Sequence, residues 1–221
     1  MPNDLKEARL RQGLSQEQAA KRLGVTQAYL SMLENGRRAA APLARKLMHL
    51  YDLPATVLPP EGVEQSSRPE KLAGELSALG YPGFAHLGMR ARRVNPAGFL
   101  LSAVAQPNLE ARTAEGLPWL VLQYPDLPAD WLVRESRVRN LQNRVGFVVT
   151  LAREAGRRAD LEPLERTLAD SKLEKEDTFC KELNDAERRW LRENRSEQAR
   201  RWNLLSDIRP ETLRYVHADA R

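Results

Sequence analysis

The sequence predicts an all-α fold in two parts, and three observations carry that reading. Apolar residues recur at three- and four-residue spacing through both parts of the chain. Helix-capping residues stand just ahead of such runs at Ser15, Thr26, Asn95, Asn184 and Ser196. A stretch rich in Pro, Gly, Ser and charge, PPEGVEQSSRP at 59–69, has no apolar period and reads as a linker. It separates a small first domain, 1–58, from a larger helical domain, 70–221.

The 221 residues suffice for two modest domains. With 42% apolar and 29% charged residues, the chain is a folded globular one and not a disordered one. The net charge of +5 is unevenly spread: residues 1–60 hold nine Lys or Arg against five Asp or Glu. The basic excess thus sits on the first domain, as contact with a polyanion requires. Cys180 is the only cysteine, which excludes an internal disulfide and a multi-cysteine metal site. The first ten residues are charged and amphipathic, unlike a signal peptide, and no apolar run reaches membrane-spanning length. The expected location is the cytoplasm.

The first domain opens with a helix over 4–12, with Leu5, Ala8 and Leu10 facing inward and Gly13 as its stop. Ser15 caps the next helix, and Gln18 completes a capping box. Ala19, Ala20 and Leu23 form its inner face, Gly24 ends it, and Val25 is the buried residue of the turn. Thr26 caps a third helix whose inner face is Leu30 and Leu33, and Asn35-Gly36 stops it ahead of Arg37-Arg38. Two short helices around a three- to four-residue turn containing Gly make a helix-turn-helix. The spacing leaves Gln27, Ala28, Ser31 and Met32 on or near the outer face, while Tyr29 fits either a phosphate contact or packing. Gln bonds adenine through two hydrogen bonds, and Ala or Met contacts a thymine methyl. Asn35, Arg37 and Arg38 stand ready for phosphates, which position a protein without specifying sequence. For each of these side chains the plain alternative is a solvated surface residue.

Gly13-Leu14-Ser15-Gln16, Ala20, Leu23-Gly24-Val25 and Leu33-Glu34-Asn35-Gly36 occur in order at the spacing of the Xre/Cro family of phage and bacterial repressors. Over residues 3–58 the chain resembles that family, and the resemblance implies a lambda-repressor-like domain. It implies base contacts from Gln27, Ala28 and Met32, and phosphate contacts from Gln16, Ser31, Asn35, Arg37 and Arg38. It also implies an internal ion pair between Arg9 and Glu34; the alternative for Arg9 is a solvated charge or a plain phosphate contact. A fourth helix follows over 42–51, with Leu43, Leu47 and Leu50 on one face. The family's fifth helix would fall at 53–58, where Pro59-Pro60 cuts it short.

The second domain reads as helices over 70–79 and 97–105, the latter capped by Asn95 with Pro96 in its first turn. A further helix is expected over 108–115, broken by Gly116-Leu117-Pro118. Trp119 to Leu122 fits either a helical turn or a buried strand. Val138, Leu141, Val145, Val148 and Ala152 read as one helical seam, with Arg134, Arg137, Arg139, Arg144 and Arg153 as a basic outer face. Leu161, Leu164, Leu168 and Leu173 continue a similar seam. Helices capped by Asn184 and Ser196 close the chain, and at least two of Trp119, Trp131, Trp190 and Trp202 are expected in the core.

His86 and His217 stand alone, Cys180 sits among acids, and no phosphate-cradling glycine motif occurs. The expectation is a protein that is not an enzyme and uses no metal or cofactor. Its partner would be double-stranded DNA, bound as a homodimer on a palindromic operator to repress transcription. The alternative is an antitoxin-type regulator whose 70–221 domain grips a protein partner; an enzyme or a sensor of a small-molecule effector in that domain is a third reading.

Overall fold

The computed structural model describes residues 2–60, 62–64, 67–87 and 91–216. It separates into two compact units, residues 1–59 and 60–221. The first contains α1 (Pro2–Arg11), α2 (Gln16–Leu23), α3 (Gln27–Glu34) and α4 (Ala44–Tyr51), with 3-10 turns at Ala41–Leu43 and Ala55–Val57. α3 packs on α1 and α2, and α4 closes the other side of both. Ala8, Ala19, Ala20, Leu23, Leu30 and Leu33 meet Leu47, Met48 and Tyr51 in the core.

Three expectations in this unit shift. Leu10 is 56% exposed, because Ala8 and Arg9 take the inward positions of α1. Val25 is only half-buried. The inner face of α4 is Ala44, Leu47, Met48 and Tyr51, not Leu43, Leu47 and Leu50. The cause is the 3-10 turn at Pro42: its tighter winding ends at Leu43, and the α-helical phase restarts at Ala44.

The second unit contains α5 (Pro69–Ala78), α6 (Pro96–Val104), α7 (Ala111–Gln123), α8 (Ala129–Val138), α9 (Gln142–Gly156), α10 (Glu162–Ala169), α11 (Asp185–Asn194) and α12 (Glu197–Arg201). A two-residue parallel pair, β1 (Asp177–Thr178) and β2 (Leu204–Leu205), pairs Asp177 with Leu204 and Thr178 with Leu205. The axis of the unit is α9, which packs against α6, α7, α8, α10 and α12 and is buried from Gln142 to Ala152. A helix buried on all sides is a core element, so its sequence shows no polar face of ordinary width.

Trp202 packs closely against α9: a Cβ at Gly146 would meet its ring at 2.2 Å, so only glycine leaves the room. The Trp202 indole N–H donates to Thr150 Oγ1 at 2.7 Å, and that hydroxyl donates to Glu165 Oε1 at 2.9 Å. Glu165, buried at 2% exposure, also takes Arg153 Nε at 2.5 Å and Arg201 at 2.9 Å. One carboxylate therefore ties α9, α10 and α12 together.

The stretch read as a linker is hydrogen-bonded to the second unit over its described part. The backbone N–H of Glu64 donates to Ser102 and that of Ser67 to Gln106, and Gln106 Nε2 donates to the Glu64 carbonyl at 2.7 Å. The break expected at 116–118 is absent: α7 runs through Pro118. Burial of Leu117, Trp119, Leu120 and Val121 outweighs the roughly 3 kcal/mol that an interior proline costs a helix. Gly116 is a close approach, since a Cβ there would meet Leu76 at 2.8 Å and Tyr81 at 3.0 Å. Asn108 precedes the helix and accepts the backbone N–H of Lys181 and of Glu182.

The seam read as one helix from Val138 to Ala152 is two, α8 and α9, because Asn140 takes a left-handed φ of 56° between them. Val138, at the end of α8, is 71% exposed. The basic outer face also dissolves. Arg144 is buried and forks onto Asp177, Arg139 pairs with Glu135, and Arg137 bonds Ser171 and the Thr167 carbonyl. Trp119 and Trp202 are in the core, Trp131 is half-buried, and Trp190 on α11 is 53% exposed. His217 lies outside the described residues.

Candidate nucleic-acid interface

The geometry of the recognition helix is set by its ends. The Ser15 hydroxyl accepts from the Gln18 N–H, and the Gln18 side chain accepts from the Ser15 N–H, so the capping box starts α2 at Gln16. A Schellman turn closes α2: Gly24 at φ 73° donates to Lys21, and Val25 donates to Ala20. Lys46 of α4 adds its ammonium to the last carbonyl of α2, that of Leu23, at 3.0 Å. Thr26 then caps α3, accepting from the Tyr29 N–H at 3.2 Å. A second Schellman turn ends α3: Gly36 at φ 69° donates to Leu33, and Arg37 donates to Met32 at 2.8 Å. Arg38 also donates to Met32, so the backbone of both arginines is fixed on the end of α3.

Behind α3 a buried ion pair organises the surface. Arg9 and Glu34 are 8% and 3% exposed and meet at 2.6 Å through Nε and Oε1. Arg9 Nη2 reaches Glu34 Oε2 at 3.2 Å, and Nη1 donates to the Leu14 carbonyl at 2.8 Å. The bond to Glu34 holds the guanidinium pKa above its ordinary value against the opposing effect of burial. Glu34 Oε2 in turn accepts from Gln16 Nε2 at 3.1 Å, and Gln16 Oε1 accepts from Gln27 Nε2 at 3.2 Å. A chain of side-chain bonds thus runs from α1 through the end of α3 and the start of α2 to Gln27. It orients the exposed amide of Gln27 from within.

Of the remaining candidates, Ala28 is exposed beside Gln27, and Met32 is half-buried one turn on. Asn35 and Ser31 bond each other, with Asn35 Nδ2 donating to the Ser31 carbonyl at 2.8 Å and to its hydroxyl at 3.3 Å. Arg37 and Arg38 are exposed. The structure thus groups Gln16, Gln27, Ala28, Ser31, Met32, Asn35, Arg37 and Arg38 on the α2 start, α3 and its exit turn.

Residues 5–58 match the helix-turn-helix family model. They form a helix-turn-helix domain of the Xre, lambda-repressor-like kind. This Xre-type domain supports DNA binding and a role in transcription regulation. No curated protein and no solved structure matches the chain.

Sequence reasoning missed three residues behind this Xre-type surface. Lys46 caps α2, a role that needs the α2–α4 crossing to be known. Gln12 Nε2 donates to the Tyr51 carbonyl at 3.3 Å, tying the end of α1 to the end of α4. Tyr51 itself is buried beside the Arg9–Glu34 pair, and its hydroxyl has no hydrogen-bond partner among the described residues. Burial first, and the Glu34 charge second, push its phenol up to about 12. The signal for Tyr51 was its place one turn beyond Leu47, obscured by the expected phase of α4. Among the described residues no group of three or more His, Cys, Asp and Glu converges as a metal would require. Among the described residues, too, no helix is long and apolar enough to cross a membrane.

Proposed function

We propose that the chain is a repressor that binds a palindromic operator as a homodimer and acts by occupying promoter DNA, without catalysis and in the cytoplasm. The observation that supports this reading most is the bond chain from Arg9 through Glu34 and Gln16 to Gln27. A side chain oriented from a buried ion pair is pre-organised for one base edge, which lowers the entropy lost on binding. Gln27, Ala28 and Met32 read bases in this proposal. Gln16, Ser31, Asn35, Arg37 and Arg38 hold phosphates, the Gln16 contact helped by the α2 dipole. One helix-turn-helix reads only a few base pairs, so two are needed, about 34 Å apart on one face of the duplex.

The test is binding of the full-length protein to DNA from just upstream of its own gene, against random DNA, at about 150 mM salt. A preference of roughly a thousandfold or more is expected. Gln27→Ala should lose about 1–3 kcal/mol at the preferred site and relax selectivity at one position. Arg37→Ala should weaken all sequences alike and lower the salt slope by about 1. Equal affinity of the wild type for both DNAs overturns the reading.

An antitoxin-type regulator is the second reading, favoured by α11. That helix has no buried residue and carries Trp190 outward, an arrangement that suits a protein partner. A complex with the product of an adjacent gene that Trp190→Ala dissociates would support it. Unchanged association in that variant would remove it.

A further inference from the structure

A cleft of about 900 Å3 opens in the second unit, within the size range of small-molecule sites. One wall is the turn from α8 to α9, Arg139 to Leu141, and the other is the loop from Lys172 to Asp177, with Ala105, Pro107 and Lys181 at the end. Its walls are fixed. Asn143 Nδ2 donates to the Leu173 carbonyl at 2.9 Å and its Oδ1 accepts the Leu173 N–H at 2.8 Å. Gln142 holds the Ser171 carbonyl, and Asn203 bonds the carbonyls of Leu173 and Glu174. At the floor Arg144 spends four donor contacts on Asp177 and on the carbonyls of Val104 and Gln106. The six residues from Lys172 to Asp177, held this firmly, are a preformed surface.

The charges of the cleft do not cancel. Arg144 and Asp177 neutralise each other. Glu176 is taken by Arg192 of α11 at 2.8 Å, and Arg139 by Glu135 of α8, both partners standing outside the cleft lining. Lys172 donates to the Arg201 carbonyl at 3.1 Å, which leaves its charge unpaired. The side chains of Lys175 and Lys181 have neither a hydrogen bond nor an ion pair among the described residues, and both are exposed. Against these three ammonium groups the cleft sets only Glu174, a local excess of two positive charges in a concave site where field lines concentrate.

We propose that this cleft binds a small organic dianion, a phosphorylated or dicarboxylic metabolite, with Lys175 and Lys181 as its counter-charges. Ala105, Pro107, Leu141 and Leu173 supply apolar surface for the body of the ligand. The site is independent of the operator reading and is assayed without DNA.

The test is thermal unfolding and titration calorimetry of the full chain with inorganic phosphate and with succinate, at ionic strength held constant with sodium chloride. All four tryptophans lie in the second unit, so their fluorescence follows its unfolding. A saturable rise in melting temperature with either probe is expected. Response to phosphate alone assigns a phosphoryl ligand, to succinate alone a dicarboxylate, and to both a dianion site without preference. Lys175→Glu/Lys181→Glu should weaken binding at least tenfold, while Arg189→Glu on α11 should leave it unchanged. Lys175→Gln/Lys181→Gln repeats the test should the charge reversal disturb folding. No saturable response to either probe, or a loss below tenfold in the lysine variants, overturns the proposal.

Discussion

Two buried carboxylates, Glu34 in the first unit and Glu165 in the second, use the same chemistry to different ends. Each is almost wholly buried, each takes an arginine from another helix, and each passes a hydrogen bond onward. The Glu34 chain leaves the core and ends on the exposed amide of Gln27. The Glu165 chain turns inward and ends on the Trp202 indole, which is fully buried. Burying an ion pair gains little stability by itself, because desolvation offsets attraction. What it supplies is direction. In one unit that direction aims a surface side chain, and in the other it locks the closing helix onto α9.

The largest effect is expected at the inward end. Trp202→Ala removes the ring that covers Gly146 and leaves the Thr150 hydroxyl without its donor, at a cost of about 3–5 kcal/mol to the second unit. Urea unfolding followed by the fluorescence of the other three tryptophans measures it. Gly146→Ala should be destabilising in the same assay, because the ring must move to admit a methyl group. A cost below about 1 kcal/mol for Trp202→Ala would mean that the Glu165 chain is ornament on a core that holds without it.

The outward chain predicts a split between stability and binding. Arg9→Met alone strands Glu34 in the core and should destabilise the first unit by about 3–5 kcal/mol. Adding Glu34→Leu removes the stranded charge, and the double variant Arg9→Met/Glu34→Leu should return close to wild-type stability. It should not return to wild-type DNA affinity, because Gln16 loses the acceptor that positions it and Gln27 loses its support. Circular dichroism melts and operator titrations on the same samples read the two properties. Recovery of both together would reduce the chain to a packing device, equal in kind to that around Glu165.

The first unit was legible from sequence because its signals are local. Ser15 with Gln18, Gly24, Thr26, Asn35-Gly36 and the Leu30, Leu33 pair each act within four residues, and the structure uses each where the pattern puts it. Of the site, the outward positions followed from two inward leucines. The bond between Gln16 and Gln27 did not, since it joins residues eleven apart across the turn. The second unit resisted for the opposite reason. Whether Gly116 and Pro118 break α7 depends on Leu76, Tyr81 and the packing around Trp119, all supplied by the tertiary fold. The stripe of arginines looked like a solvated face, but Arg144 finds Asp177 thirty-three residues away and turns inward. An apolar seam continued in phase across Val138 and Leu141, and nothing in its period marked the left-handed turn at Asn140.

The smallest effect separates the two carboxylates by pH. Beside Glu34 stands the unpartnered hydroxyl of Tyr51, whose phenol is pushed up to about 12 by burial, whereas Glu165 is surrounded by groups that bond it. Between about pH 10, where an unfolded tyrosine loses its proton, and the higher value in the fold, the native state holds the proton more tightly. Stability from Tyr51 is therefore complete below about pH 10 and declines as the pH rises through that window. Tyr51→Phe should remove this decline. It should leave neutral-pH stability unchanged or slightly raised, since the lost hydroxyl bonded nothing among the described residues. The difference between wild type and Tyr51→Phe in absorbance at alkaline pH, together with their urea midpoints at neutral and alkaline pH, isolates this residue from the other tyrosines. Equal alkaline sensitivity in the two proteins would place the phenol in water and take Tyr51 out of the Glu34 neighbourhood.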